Sequence, residues 1–213
     1  MRRQTMAITV ITDAILLAML LFSISQWRTY WISTLLLSLM LMLIPLFLEA
    51  KKVILLPWPI VLGAAISLLL HGLGLITEWY DTVFWWDKVT HMSSGIVLSA
   101  LVAIEILLLD LHTESIKIPS IWYLLIIPIA ILTLEGIWEI LEYSIDVLLG
   151  TGMQHSLTDT VNDITTNLIS GIVGGIGVVM YLRRRSVDEF AASLEADRLN
   201  QWFMSGFGRG SRF

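Results

Sequence analysis

The sequence has no cysteine, and it has few charged side chains for its length. Without cysteine the chain can form no disulfide, no thiolate metal site and no cysteine nucleophile. Only 15% of its 213 residues are charged, whereas a soluble domain has about 25%. Long apolar runs account for the deficit, as is typical of a multi-pass membrane protein. The net charge of −5 argues against nucleic acid as a partner.

The apolar runs predict an all-α polytopic protein with six transmembrane helices. Each run approaches or exceeds the roughly 20 residues that cross a bilayer core. The predicted spans cover residues 6–25, 32–48, 53–76, 89–109, 121–143 and 159–182, approximately. The first run is too long for a signal peptide, contains Asp13 and lacks a clear cleavage site, so we expect a retained helix. The predicted organisation is a transmembrane domain over residues 1–182 and a tail over 183–213.

Lysine and arginine are unevenly distributed between the two sides that this topology defines. With both termini in the cytoplasm, all but two of the 13 fall in inside segments, and only Arg28 and Lys88 lie outside. The positive-inside rule therefore predicts cytoplasmic termini in the cell (inner) membrane.

The tail after Leu182 begins with a basic cluster. Ser186 and Glu189 have capping-box spacing, and the apolar residues that follow fall near one helix face. That face comprises Val187, Phe190, Ala191, Leu194 and Trp202. The pattern predicts a helix lying on the cytoplasmic membrane surface. The alternative is a frayed tail held by its arginines alone.

Ionisable side chains of four predicted spans converge on one layer near the outer surface. Asp87 and His91 lie four residues apart, on one face of the fourth span. Helical rise brings polar residues of the third, fifth and sixth spans to the same level. These are His71, then Glu135, Glu139 and Glu142, and finally Asp159, Asp163 and Asn167. Such groups cost about 2.5 to 3.5 kcal/mol each inside a membrane and usually face the bundle interior, so we expect a shared outward-facing polar site.

The carboxylates of this layer need a counter-charge. Lys88 is the one basic partner nearby, so the acids must be protonated, paired or bridged by a cation. Helix bundles build metal sites from His and carboxylate ligands on facing helices. We therefore expect a divalent metal, with zinc, manganese or iron favoured over magnesium. The predicted ligands are His71, His91, Asp87, Glu139 and Asp163, with Glu142, Asp159 and Asn167 as further polar residues of the site.

A structural network is the alternative for this layer, since neutral carboxylic acids can hydrogen-bond across helices. Asp87, Glu142 and Asp159 also suit interfacial capping positions. Asp13 and Glu105 form a smaller inner set. Either the two side chains contact each other and extend a polar route inward, or each interacts with polar groups near it on its own helix or at the membrane surface.

The glycines of the last span indicate close packing. Gly171 and Gly175 form a Gly-x-x-x-Gly pattern, with Gly174 beside them. Small residues at this spacing let helix backbones approach each other.

Three stretches resemble the YjdF type of bacterial and archaeal inner-membrane proteins, a family of unknown function. They are "DKVTHMSSG", "EGIWEILEY" and "DTVNDITTN", the last preceded by "LGTGMQ". The resemblance covers roughly residues 60–180. Its motifs are Asp-x3-His-x3-Gly, Glu-x2-Glu followed by an aromatic, and Asp-x3-Asp. They carry over onto Asp87, His91, Gly95, Glu139, Glu142, Asp159 and Asp163.

The loop before the last motif departs from the family. An acidic residue usually follows the loop glutamine, but here His155 follows Gln154. The last span is also similar to VanZ-like proteins, through Asp163, Asn167 and Gly171. Neither resemblance implies a reaction.

Three functions follow from these observations. The favoured one is an enzyme at the outer leaflet, with a metal activating water and Glu135 or Glu139 as general base. Its lipid or lipid-linked substrate would enter laterally from the bilayer. The second is a cation or proton transporter in which Asp13 and Glu105 continue the pathway. The third is a membrane scaffold with a polar core. The chain lacks the broken helices and inverted repeat common in transporters, which favours the enzyme.

Overall fold

The computed structural model describes residues 2–112, 118–150, 153–154, 156–184 and 187–198, and its regular secondary structure there is entirely helical. The helices are α1 (Arg2–Ser25), α2 (Thr29–Ala50), α3 (Trp58–Ile76), α4 (Trp79–Thr82), α5 (Trp86–His112), α6 (Tyr123–Leu149), α7 (Leu157–Leu182) and α8 (Val187–Ser193), with a 3-10 turn at Ser120–Trp122. Six of them, all except α4 and α8, are long and apolar enough to cross a membrane. The predicted all-α, six-span architecture is confirmed. Its orientation across the membrane stays a prediction.

These helices are apolar over most of their surface, which suits them to a bilayer. There, each backbone N–H and C=O must be paired within the helix. The helix α3 begins later in the sequence than its hydropathy predicts. It begins at Trp58 and not near residue 53, because Pro57 precedes it and Pro59 occupies its first turn. A proline disfavours helical geometry in the residue before it and fits the first turn of a helix.

The chain divides into two compact units. One contains α1 to α4 together with α8, and the other contains α5 to α7. In the first unit α1 packs against α2 and α3. Gly72 makes this packing close, since a Cβ atom there would lie 2.9 Å from the Met19 sulfur.

The short helix α8 belongs to the first unit through the residues that follow it. The Leu55 amide donates a hydrogen bond to the Leu194 carbonyl over 2.8 Å, and the Leu194 side chain is fully buried. Leu194 therefore packs within the protein. Ser186, Trp202 and His155, which carry other predictions, lie outside the described residues.

In the second unit α7 packs against both α5 and α6 through small residues. A Cβ atom on Gly174 would lie 2.3 Å from the Ser99 Cβ of α5. On the α6 side, Cβ atoms on Gly171 and Gly175 would lie 3.0 Å from the Pro128 Cα and 3.1 Å from the Tyr123 carbonyl oxygen. The predicted packing role of these glycines is confirmed. The pairings make α5 parallel and α6 antiparallel to α7.

Candidate functional site

The beginnings of α5 and α7 place a histidine and two carboxylates together. Asp87 is in the first turn of α5, where a negative charge is favoured by the helix dipole. His91 follows one turn later on the same face. Asp163 of α7 completes the group, in which one ligand atom of each residue lies within 4.8 Å of the others. Asp163 is only 4% exposed. We call this end of the second unit the polar end.

The two nitrogens of His91 face different partners. Nε2 lies 3.3 Å from Oδ1 of Asp87. Nδ1 lies 3.2 Å from Oε1 of Glu135 on α6 and 2.8 Å from the Asn167 side-chain amide on α7. All three helices of the unit therefore meet at this imidazole.

This arrangement matches the way proteins orient metal-binding histidines. A ligating histidine usually gives its other ring N–H to a carboxylate or carbonyl oxygen. Glu135 offers such an oxygen to Nδ1, and Nε2 is directed toward Asp87. The Asn167 atom near Nδ1 is the amide nitrogen, and a flip of this amide would bring its oxygen there instead. Ligands at about 2.1 Å around a tetrahedral ion lie about 3.4 Å apart, close to the 3.3 Å between Nε2 and Asp87 Oδ1.

Lys88 is the member of this cluster that the predicted site residues omitted. Its Nζ lies 3.2 Å from Oδ2 of Asp87, 3.0 Å from Oδ1 of Asp159 and 3.7 Å from Oδ1 of Asp163. The sequence did hold a signal, because Lys88 is the one basic residue at this level of the spans. Asp159 thus contacts the cluster through Lys88.

Glu139 lies one turn from Glu135 along α6, about 6 Å by helical rise. It is 7% exposed, and neither of its carboxylate oxygens has a hydrogen-bond partner within the described ranges. Glu142 follows on the same side of the helix and is partly exposed. A buried carboxyl group without partners is costly and needs a proton or a cation to compensate it.

The buried polar residues of the second unit stop near the middle of its helices. In the described part of α5 to α7 they are Thr90, Ser99, Glu135, Glu139, Asp163, Asn167 and Ser170. The buried side chains further from the polar end are Ala103, Ile104, Ile106, Leu107, Tyr123, Ile127, Ile131 and Val179. We call this half the packed end. Its buried side chains are apolar except for the phenol of Tyr123, and the glycine contacts of α7 close it. Glu105 and Asp110 of α5 also lie in this half, but they are not buried.

The remaining predicted residues have separate environments. His71 lies in the first unit, where its Nδ1 is 2.5 Å from the Tyr80 hydroxyl, and its place among the metal ligands stays a prediction. Asp13 does not pair with Thr9, because the Thr9 hydroxyl has no hydrogen-bond partner in the described chain. Glu105 is exposed on α5.

Asp146 organises the loop before α7, a role that the sequence analysis missed. Its two carboxylate oxygens accept hydrogen bonds from the amides of Met153 and Gln154, over 2.8 and 2.9 Å. Gln154 in turn donates to the Thr160 hydroxyl over 3.0 Å. The only sequence signal is an acidic residue four positions before Gly150, whose left-handed φ of 66° ends α6. These bonds position the first turn of α7, which contains Asp159.

Six membrane-spanning helices define the class of this chain as a multi-pass membrane protein. Residues 7–184 match the family model described as "Predicted membrane protein (DUF2238)". The chain belongs to this family, whose function is unknown. The resemblance to YjdF-type proteins is consistent with the match, and the VanZ-like similarity stays a prediction. No curated protein and no solved structure matches the chain.

Proposed function

We propose that this protein is a metal-dependent enzyme of the cell membrane that hydrolyses a bond in a lipid or lipid-linked substrate. The observation that carries the proposal is the convergence of Asp87, His91 and Asp163 within 4.8 Å. One imidazole and two carboxylates form a donor set that suits zinc, manganese or iron. A bound ion of this kind supplies Lewis acidity and a more acidic water.

The packed end of the second unit favours chemistry over conduction through that unit. Among its described residues, buried polar groups extend from the polar end only to about the middle of the helices. Beyond that level α7 packs directly on the backbone of α6, since a Cβ on Gly175 would lie 3.1 Å from the Tyr123 carbonyl oxygen. An ion route through α5 to α7 would need polar groups along its whole length.

Glu139 is the better candidate for the general base. Oε1 of Glu135 lies 3.2 Å from His91 Nδ1, a close contact without hydrogen-bond geometry, and this position suits Glu135 to holding the imidazole in place. Glu139 has two carboxylate oxygens with no hydrogen-bond partner among the described residues. In the proposed reaction a water oxygen bonds to the phosphorus or carbonyl carbon of the substrate, and the bond to the leaving oxygen breaks. Glu139 takes the proton of the water and returns it to that leaving oxygen.

The test is lipid turnover by the full chain in nanodiscs made from a membrane lipid extract. Samples are incubated with Zn²⁺ or Mn²⁺, or with EDTA, and their lipids are compared by mass spectrometry. Glu139→Gln should lower metal-dependent turnover by about 10² to 10⁴-fold, because an amide cannot accept the proton. It should still bind metal.

Glu105→Gln is the matched control, since it removes an exposed carboxylate from the same unit. Its turnover should equal that of the wild type. If the wild type binds metal but converts no lipid and instead carries cations across vesicle membranes, the protein is a transporter and the enzyme proposal is wrong.

A further inference from the structure

The Lys88 ammonium lies among the carboxylates of the candidate metal site. It is 3.2 Å from Asp87 Oδ2 and 3.7 Å from Asp163 Oδ1, so it touches or approaches both carboxylate ligands. A lysine ammonium is a compact charge on a flexible stem. It therefore competes directly with any metal ion that Asp87 and Asp163 would hold.

Lys88 does not fully occupy the carboxylate of Asp163. A distance of 3.7 Å is too long for a hydrogen bond, and Oδ1 of Asp163 has no hydrogen-bond partner in the described ranges. The residue is 4% exposed, so water compensates this oxygen poorly. Asp163 thus keeps the capacity to bind a cation while Lys88 is present.

Asp159 gives Lys88 a carboxylate that lies outside the ligand group. The Lys88 Nζ is 3.0 Å from Asp159 Oδ1, its shortest contact in the cluster. Metal ligation requires ionised aspartates and a neutral imidazole at His91. In that state the three aspartates and Lys88 together carry a net charge of −2, which one divalent ion balances.

We propose that Lys88 is a specificity-determining residue, and this inference rests on the proposed metal site. The Lys88 ammonium competes with metal ions for Asp87 and Asp163, and so selects divalent over monovalent cations. A monovalent ion brings no more charge than the ammonium, which the chain holds at high effective concentration. A divalent ion gains twice the attraction. It displaces Lys88 toward Asp159, so the lysine is retained when metal binds.

The test measures Zn²⁺ and Mn²⁺ affinity of the full chain in nanodiscs by chelator competition. Lys88→Met keeps most of the length of the side chain and removes its charge, and it should bind metal more tightly, on the order of tenfold or more. Its metal binding should become sensitive to NaCl relative to choline chloride at equal ionic strength. Wild-type binding should not distinguish the two salts. Lys88→Arg, which keeps the charge, should retain this selectivity.

Asp159→Asn should act in the opposite direction. Without the Asp159 carboxylate, Lys88 stays closer to Asp87 and Asp163, so metal binding should weaken although no ligand is lost. A purely structural role of Lys88 would weaken binding in both variants. If Lys88→Met is not recovered in folded form, equal affinity of Asp159→Asn and wild type overturns the proposal.

These affinity measurements distinguish failure of the proposed Lys88 role from failure of the proposed metal site. Wild-type metal binding combined with unchanged or weaker binding by Lys88→Met removes the role of the lysine and leaves the site standing. No metal binding by the wild type removes both.

Discussion

The polar end and the packed end of the second unit are built from the same three helices, but they differ in the side chains that those helices bring together. At the polar end, Asp87, His91 and Asp163 lie together, and the Lys88 ammonium lies among their carboxylates. At the packed end, α7 is closed against its neighbours by glycine contacts such as that of Gly174 with Ser99. In a membrane, close van der Waals packing drives helix association because lipid gives no hydrophobic driving force. We infer that the packed end provides stability, and the proposed ligand chemistry belongs to the polar end.

The largest expected effect comes from filling the packed end. Gly174→Leu should destabilise the protein by about 3 kcal/mol or more, because its Cβ would lie 2.3 Å from the Ser99 Cβ and a larger side chain adds further overlap. The measurement is thermal unfolding of the purified protein in detergent, together with the folded yield.

Gly177→Leu is the control, since a Cβ at Gly177 would meet no atom within 4 Å. It should leave the unfolding temperature close to that of the wild type. If the two leucine variants unfold alike, the packed end does not carry the stability that the comparison assigns to it.

A smaller effect is expected at the polar end from Asn167→Ala. The Asn167 amide lies 2.8 Å from Nδ1 of His91, so it helps to fix the imidazole rather than to bind an ion. Loss of such a supporting group lowers metal affinity by about 10 to 100-fold. Thr165→Ala is the control, because the exposed Thr165 hydroxyl bonds the Val161 carbonyl of its own helix over 2.7 Å. Equal metal affinities in these two variants would show that Asn167 does not orient His91.

Helical periodicity explains which parts of this structure were predictable. The spacing of Asp87 and His91, and of Glu135 and Glu139, fixes which residues share a helix face. Because intramembrane charges face inward, the convergence of α5, α6 and α7 on one layer was expected. Hydropathy located six spans, but it placed the start of α3 too early. It measures only apolar character, whereas Pro57 disfavours helical backbone geometry in the residue before it.

Contacts between helices were beyond the sequence. The central position of Lys88 depends on the rotation of α5 against α7, which only packing decides. The pairing of Gly95 with Ser170 has the same origin, since a Cβ on Gly95 would lie 1.9 Å from the Ser170 hydroxyl oxygen. The role of Asp146 was not predicted because its partners are backbone amides. Every residue except proline has such an amide, so the sequence does not identify these partners.

Metal content tests the central claim most directly. Protein purified without chelator is analysed for its elements, and its unfolding temperature is measured with and without added Zn²⁺ or Mn²⁺. The account predicts about one metal ion per chain and a higher unfolding temperature on metal addition, since binding to the folded state stabilises it. His91→Ala should lose the metal and remain folded. Substoichiometric metal in the wild type, with an unfolding temperature that neither ion changes, would contradict the account and favour a neutral hydrogen-bonded network.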